Sequence, residues 1–260
     1  MPQRIHNIPD TFLKLQTLMK ILRDECPWDK KQTMASLRTC TLEEVHEVLE
    51  AIDAKDWPAL QDELGDLLLQ ILFYTCLASE QNHFDLEDVA QGLIDKMIRR
   101  HPHVFANVQT DDVLKQWNQI KDQEQQRKSL MDGVPPLPSL AKAQKIQQRA
   151  ARIGFDWQDA QEVLPKIREE LQEFEEAFAE KNQDHIEDEF GDLLFTLTNL
   201  GRKLGLDSEL CLMRSNRKFE RRFRGVEDCA IAENKALDQQ DTEQLEVWYQ
   251  QVKESEKDES

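Results

Sequence analysis

Cysteine is sparse and irregularly placed: the five present, Cys26, Cys40, Cys76, Cys211 and Cys229, are odd in number and show no C-x-x-C spacing. That excludes a disulfide framework and a cysteine zinc site, and points to a reducing cytosol. Glycine (8), proline (9) and tyrosine (2) are scarce as well, which disfavours turn-rich sheet architectures. No apolar run approaches the length of a membrane span, and Met1 to Asp10 lacks a basic-then-apolar signal pattern, so a soluble, unprocessed, cytoplasmic protein is expected. Positive charge is in deficit, 33 Lys and Arg against 51 Asp and Glu, for a formal net charge of -18. Such a chain repels nucleic acid and anionic membranes, and a polyanionic substrate would have to come with metal ions.

What remains is 39% hydrophobic and 32% charged residues over 260 positions, a balance that suits helices with solvated faces. An all-α protein is expected, with length enough for one large domain or two ordinary ones.

A shift of 126 residues lays the chain on itself. Glu43, Glu44, Glu47, Asp62, Glu63, Gly65 and Asp66 meet Glu169, Glu170, Glu173, Asp188, Glu189, Gly191 and Asp192, and Leu67-Leu68 meets Leu193-Leu194. Chance acidic runs would not preserve both motifs and the gap between them, so the chain contains an internal duplication. A weaker echo at a shift of 122 sets Lys96, Arg99, Arg100 and Val104 against Lys218, Arg221, Arg222 and Val226. The expected organisation is a first domain over 1–105, a linker over 106–140, a second domain over 141–253 and a frayed, charged tail over 254–260. Within the linker, Asp111 to Arg127 reads as a connecting helix, and Asp132-Gly133 with Pro135-Pro136-Leu137-Pro138 as the boundary.

Around the acidic motifs the helical signals are strongest. Thr41-x-x-Glu44 matches a capping box before Val45, Val48, Leu49 and Ile52, which predicts a helix starting at Thr41. Asp56 followed by Pro58 predicts the N-terminus of the next helix, with the break near Lys55. The second repeat follows the same plan, one helix through Ile167, Leu171 and Phe174 and another through Ile186, Phe190, Leu193 and Leu194.

Glu44 and Glu47 are three apart, as are Glu63 and Asp66, so each pair occupies one helix face. In an antiparallel hairpin Glu44 and Asp66 lie equidistant from the turn, as do Glu47 and Glu63, and four carboxylates meet in two rungs. Glu170 with Asp192 and Glu173 with Glu189 repeat the square, while Glu43 and Glu169 flank it, placed to serve a water. Without a cation these groups would raise one another's pKa. A set free of histidine and cysteine suits Mg2+, with Mn2+ as a substitute, and Mg2+ bound in this way also takes up substrate phosphates. Phosphate chemistry follows, with an activated water and nearby Lys or Arg to offset phosphoryl charge.

A lone E-x-x-E is usually a solvated helix face, and basic residues near a helix end often only complement its dipole. The paired, duplicated and mirrored arrangement tips the acidic motif toward a site. Trp28, Trp57, Trp157 and Trp248 read as packing residues before base-stacking ones. Two other readings stand beside the hydrolase. One is a di-iron carboxylate bundle built on Glu43-x-x-His46, although the second repeat has Gln172 at the histidine position. The other is a non-catalytic helical module whose acidic hairpins are interaction surfaces.

The pattern E-E-x-x-E, a gap, then E-x-x-D resembles the MazG family, the tandem nucleoside triphosphate pyrophosphohydrolases of bacteria. It stands here as Glu43-Glu44-x-x-Glu47 with Glu63-x-x-Asp66, and as Glu169-Glu170-x-x-Glu173 with Glu189-x-x-Asp192. Further matching segments are Cys26-Pro27-Trp28-Asp29, Arg99 to Phe105, Gly154-Phe155-Asp156-Trp157 and Lys218 to Phe223, so nearly the whole chain is covered. The resemblance implies helical hairpins that pair into four-helix arrangements in a homodimer, and Mg2+-dependent hydrolysis of NTP to NMP and pyrophosphate. It implies metal ligation by Glu170, Glu173, Glu189 and Asp192, and in the first repeat by Glu44, Glu47, Glu63 and Asp66. It places the triphosphate on Lys166, Lys218, Arg221 and Arg222 and Trp248 near the base; Glu169, Glu170, His185, Asp188 and Asp192 complete the candidate nucleotide contacts. The expected mechanism is a water, deprotonated by Glu169 or Glu173, attacking the α-phosphorus. The second repeat is favoured because its basic set is richer.

Overall fold

In the computed structural model, residues 10–106, 112–124 and 128–258 are described, and among them there are helices and no strand. The chain divides into two compact units, Met1–Lys121 and Asp122–Ser260. In the first unit the helices are α1 (Thr11–Glu25), α2 (Leu37–Ala54), α3 (Trp57–Glu80), α4 (Leu86–Arg100) and the single turn α5 (Pro102–Phe105). Helix α6 (Val113–Glu124) runs across the division, within the stretch where a connecting helix is expected. The second unit continues with α7 (Ser139–Ala151), α8 (Val163–Glu180), α9 (Gln183–Lys203), α10 (Ser208–Ala232) and α11 (Thr242–Asp258). No described helix is long and apolar enough to cross a membrane.

Each unit is built around one hairpin, α2 with α3 and α8 with α9, packed along its length. The two turns are the same device 126 residues apart. Lys55 (φ 56°) and Lys181 (φ 58°) close the first helix in the left-handed conformation, and the extended Asp56 and Asn182 open the second. Asp56 accepts from the backbone N–H of Ala59 at 3.1 Å, and Pro58 sits in the first turn, where its missing N–H has no partner to lose. A two-residue reversal of this kind fixes the register of the hairpin, and with it which carboxylates stand opposite one another.

The start of α2 departs from expectation. The helix begins at Leu37, because Thr33 and Ser36 bond reciprocally through side-chain oxygens and backbone N–H groups (2.9 and 3.2 Å) and turn the chain there. Thr41 is already one turn inside; its hydroxyl donates back to the Leu37 carbonyl at 2.9 Å and pairs with the Tyr74 hydroxyl at 2.8 Å. The capping-box pattern at Thr41 is therefore a tie between α2 and α3 and caps nothing.

In the first unit Met19, Leu37, Leu72, Phe73 and Leu77 form the buried core, burying α1 against the second half of α3. Arg23 locks that contact, with Nε and Nη2 on the two Glu80 oxygens at 2.8 Å and Nη1 on the Asp29 carbonyl. In the second unit Gln147 of α7 donates to the Phe195 carbonyl of α9 at 2.8 Å. Buried Arg149 gathers the carbonyls of Leu130, Asp132 and Gly133 (2.7, 2.6 and 2.8 Å), which pins the helix-free stretch ahead of α7 inside the second unit. Asp156, ahead of α8, is held by Arg202 and Lys203 at the end of α9. Residues 254–258, expected to fray, continue α11; 259–260 lie outside the described residues.

Candidate active site

The register of each hairpin brings carboxylates from both helices together. In the first repeat, oxygens of Glu44, Glu63 and Asp66 lie within 4.8 Å of one another; in the second, those of Glu170, Glu173 and Glu189 do. Glu47 and Asp192 adjoin these groups. The charge of Glu47 acts on Glu63, that of Asp66 on Glu44, and those of Glu173 and Asp192 on Glu189. Three of the four carboxylates expected in each square are thus gathered, while Glu47 and Asp192 lie outside the two groups and act on them through charge.

Burial and like charge both act against ionisation of the cluster. Glu44 is pushed above its ordinary value by burial, then by Asp66 and Glu47; Glu63 by desolvation, then by Glu47 and Asp66; Glu189 by desolvation, then by Glu173 and Asp192. Desolvation leads in each case, and the neighbouring carboxylates add to it. An all-oxygen donor set of this kind fits a hard divalent cation. His46, the histidine of the di-iron alternative, is exposed and outside both groups.

The repeats offset this differently. In the second, Lys166 reaches Glu169 and the buried Glu170, both at 2.8 Å, and its own pKa is raised chiefly by the hydrogen bond to Glu169 and then by that to Glu170. Position 40, the match of Lys166, is a cysteine; there buried Gln70 of α3 hydrogen-bonds Glu44 and lowers its pKa in part. Gln70 is missing from the sequence expectations although its spacing, four after Asp66, puts it on the carboxylate face.

Other expected residues lie elsewhere. Asp188 is exposed beside Glu189, and His185 is exposed near the turn, 3.8 Å from Glu180. Lys218, Arg221 and Arg222 share a stretch of α10; Lys218 and Arg221 are exposed, and the two arginines pair with Glu256 of α11 rather than with a carboxylate of the square. Trp248 is fully buried against Val226 and Ala230, with Nε1 donating to Glu233 at 2.8 Å. The indole packs in the core of this unit, in line with the packing role that its residue type favours.

The comparisons with known proteins bear on the same two segments. The MazG nucleotide pyrophosphohydrolase domain matches twice, over residues 32–105 and 158–226. The nucleoside triphosphate pyrophosphohydrolase of Escherichia coli (strain K12) is 45% identical over 257 residues, 94% of this chain and 98% of that protein. The chain belongs to the MazG family. A MazG relative of Thermotoga maritima, named nucleoside triphosphate pyrophosphohydrolase/pyrophosphatase, is 41% identical over 93% of this chain and 95% of its own. YabN of Bacillus subtilis, named an uncharacterized protein, is 40% identical over 95% of this chain and 52% of its own. The two MazG matches take in both carboxylate groups, and the second ends at Val226, before Trp248 and Glu256.

Proposed function

We propose that the chain hydrolyses nucleoside triphosphates to the monophosphate and pyrophosphate, with Mg2+ as its ion and Mn2+ as a working substitute. The observation that carries this is the pair of carboxylate groups, each gathered within 4.8 Å on a hairpin of the MazG family. The full-length relatives named for this activity support it.

Glu170, Glu173, Glu189 and Asp192 would hold the ion in the second repeat, and Glu44, Glu47, Glu63 and Asp66 in the first. When bound, magnesium would offset charge on the phosphoryl oxygens and make a neighbouring water more acidic. Glu169 or Glu173 accepts a proton from that water as its oxygen bonds to the α-phosphorus and the α-β anhydride bond breaks. Pyrophosphate leaves, its charge offset by Lys166, Lys218, Arg221 and Arg222. The second repeat is the better placed for turnover because it carries Lys166 beside the square. His185 and Asp188, both exposed in the first turns of α9, are proposed to contact the nucleotide.

The working unit is proposed to be a homodimer. Phe178 and Phe190 (66% and 52% exposed), with Leu171 and Leu194, leave an apolar face on the second hairpin, and Leu42, Val45, Ile52 and Leu64 do so on the first. Such faces suit pairing of hairpins into a four-helix arrangement. Control of the nucleotide pool in the cytoplasm, without nucleic-acid or membrane partners, accords with the net charge of -18.

Product analysis tests the reaction. Several NTPs incubated with Mg2+ should release pyrophosphate and NMP; orthophosphate as the primary product would mean that a different bond is cut.

A further inference from the structure

Arg221 and Arg222 are consecutive on α10, so their side chains leave the helix about 100° apart. Left to themselves they would not point at one ligand. In the structure a single carboxylate draws them together: Glu256 of α11 accepts from Arg221 Nε on Oε1 and from Arg222 Nε on Oε2, both at 2.8 Å. Arg222 also lies over the Tyr249 ring, 6.0 Å from its centre, and hydrogen-bonds that residue. Lys218, three and four positions earlier, shares the face toward which the arginines are gathered.

The bridge has a built foundation. Along α11, Trp248, Val252 and Glu256 recur every four residues and form one stripe. Trp248 is buried against Val226 and Ala230. One turn on, Val252 sits so close to Gly225 that a Cβ there would stand 2.8 Å from its methyl groups. One turn further lie Glu256 on one helix and Arg221 with Arg222 on the other. The absence of a side chain at Gly225 thus lets α10 and α11 approach closely enough for one glutamate to reach two guanidiniums. Both are held through Nε, and the Arg221 side chain remains 65% exposed. The carboxylate is held well below the ordinary range, to about 2, by hydrogen bonds from Arg221 and then Arg222, so it stays ionised at working pH.

We infer that Glu256 is a positioning residue: it converges Arg221 and Arg222 on the Lys218 face of α10 into one fork for the polyphosphate of the substrate. This rests on the assignment, proposed above, of those arginines to the triphosphate. Glu256 itself touches no phosphate.

The test uses the full chain, with steady-state kinetics on Mg-NTP and calorimetric titration with inorganic pyrophosphate. Glu256→Gln should raise KM and weaken pyrophosphate binding by roughly tenfold, the scale of one charge-assisted contact, with little change in kcat. Glu256→Asp, which keeps the charge and shortens the reach, should share the defect. In an Arg221→Ala background Glu256→Gln should add little, whereas a merely structural role would leave the two effects additive. A fall in KM for Glu256→Gln would overturn the inference, because the carboxylate would then compete with the phosphates. If the Arg221→Ala, Arg222→Ala double variant is impaired and Glu256→Gln is not, the inference alone fails. If the double variant keeps the wild-type KM, the assignment of the arginines to the polyphosphate fails, and the inference with it.

Discussion

Lys166 donates to the buried carboxylate of Glu170 across 2.8 Å, and the matching pair in the first repeat is Cys40 and Glu44, which cannot form an ion pair. Removing the ammonium leaves Glu170 buried in an acidic cluster without its cation. Lys166→Met should therefore lower the melting temperature in a chelator, and saturating Mg2+ should recover most of the loss. An equal loss with and without Mg2+ would show that Lys166 serves packing alone.

The raised carboxylates set the sign of one pH effect. Glu44, Glu63 and Glu189 bind protons more readily folded than unfolded, so the metal-free protein gains stability as pH falls through their raised folded values toward the ordinary 4.5. Melting in a chelator should thus rise from pH 8 to about pH 5 on linkage grounds. With saturating Mg2+ at pH 8 the protein should already be stabilised, by mass action on the folded state, and the gain on acidification should shrink. A metal-free melting temperature that falls steadily over this interval would contradict the electrostatic reading of the squares.

Asp156 carries the opposite sign. Hydrogen bonds from Arg202 and then Lys203 depress its pKa, so its contribution is present above its unfolded value near 3.8 and is lost as pH falls through the lower folded value. Asp156→Asn should cost roughly 2 kcal/mol at neutral pH, the usual size for a charge-assisted hydrogen bond, and should flatten the acid limb below about pH 4. Urea unfolding at pH 7 and pH 3 measures both.

The proposed pairing through the apolar face of the second hairpin predicts a mass. The wild-type chain should sediment at about twice 30.5 kDa, and Phe190→Glu should shift it toward a single chain. A wild-type monomer at micromolar concentration would remove the dimer from the proposal.

Much of the hairpin was legible because its signals are local. Asp56 with Pro58 marks a helix start wherever it occurs, and carboxylates three apart share a face whatever packs behind them. The start of α2 was not, since Thr41-x-x-Glu44 fits a cap as well as an interior turn; the Thr33–Ser36 turn ahead of the helix and the Thr41–Tyr74 contact, 33 residues apart in sequence, decide between them. The full burial of Trp248 was not legible for the same reason, being set by Val226 and Ala230 on another helix. Glu256 sat in a stretch whose charge density reads as a frayed tail. Its order depends on Gly225 and two arginines more than thirty residues away. Gln70 is the one omission that spacing alone could have repaired.

The most direct measurement is a Mn2+ titration followed by electron paramagnetic resonance, with a non-hydrolysable NTP analogue, on the wild type, Glu173→Gln and Glu47→Gln. The wild type should remove free Mn2+ from the spectrum, with tighter uptake in the presence of the analogue. Glu173→Gln should lose the analogue-dependent part, and Glu47→Gln should keep it. Wild-type protein that leaves all the Mn2+ free, with and without the analogue, would contradict a carboxylate square that holds the substrate through a divalent ion.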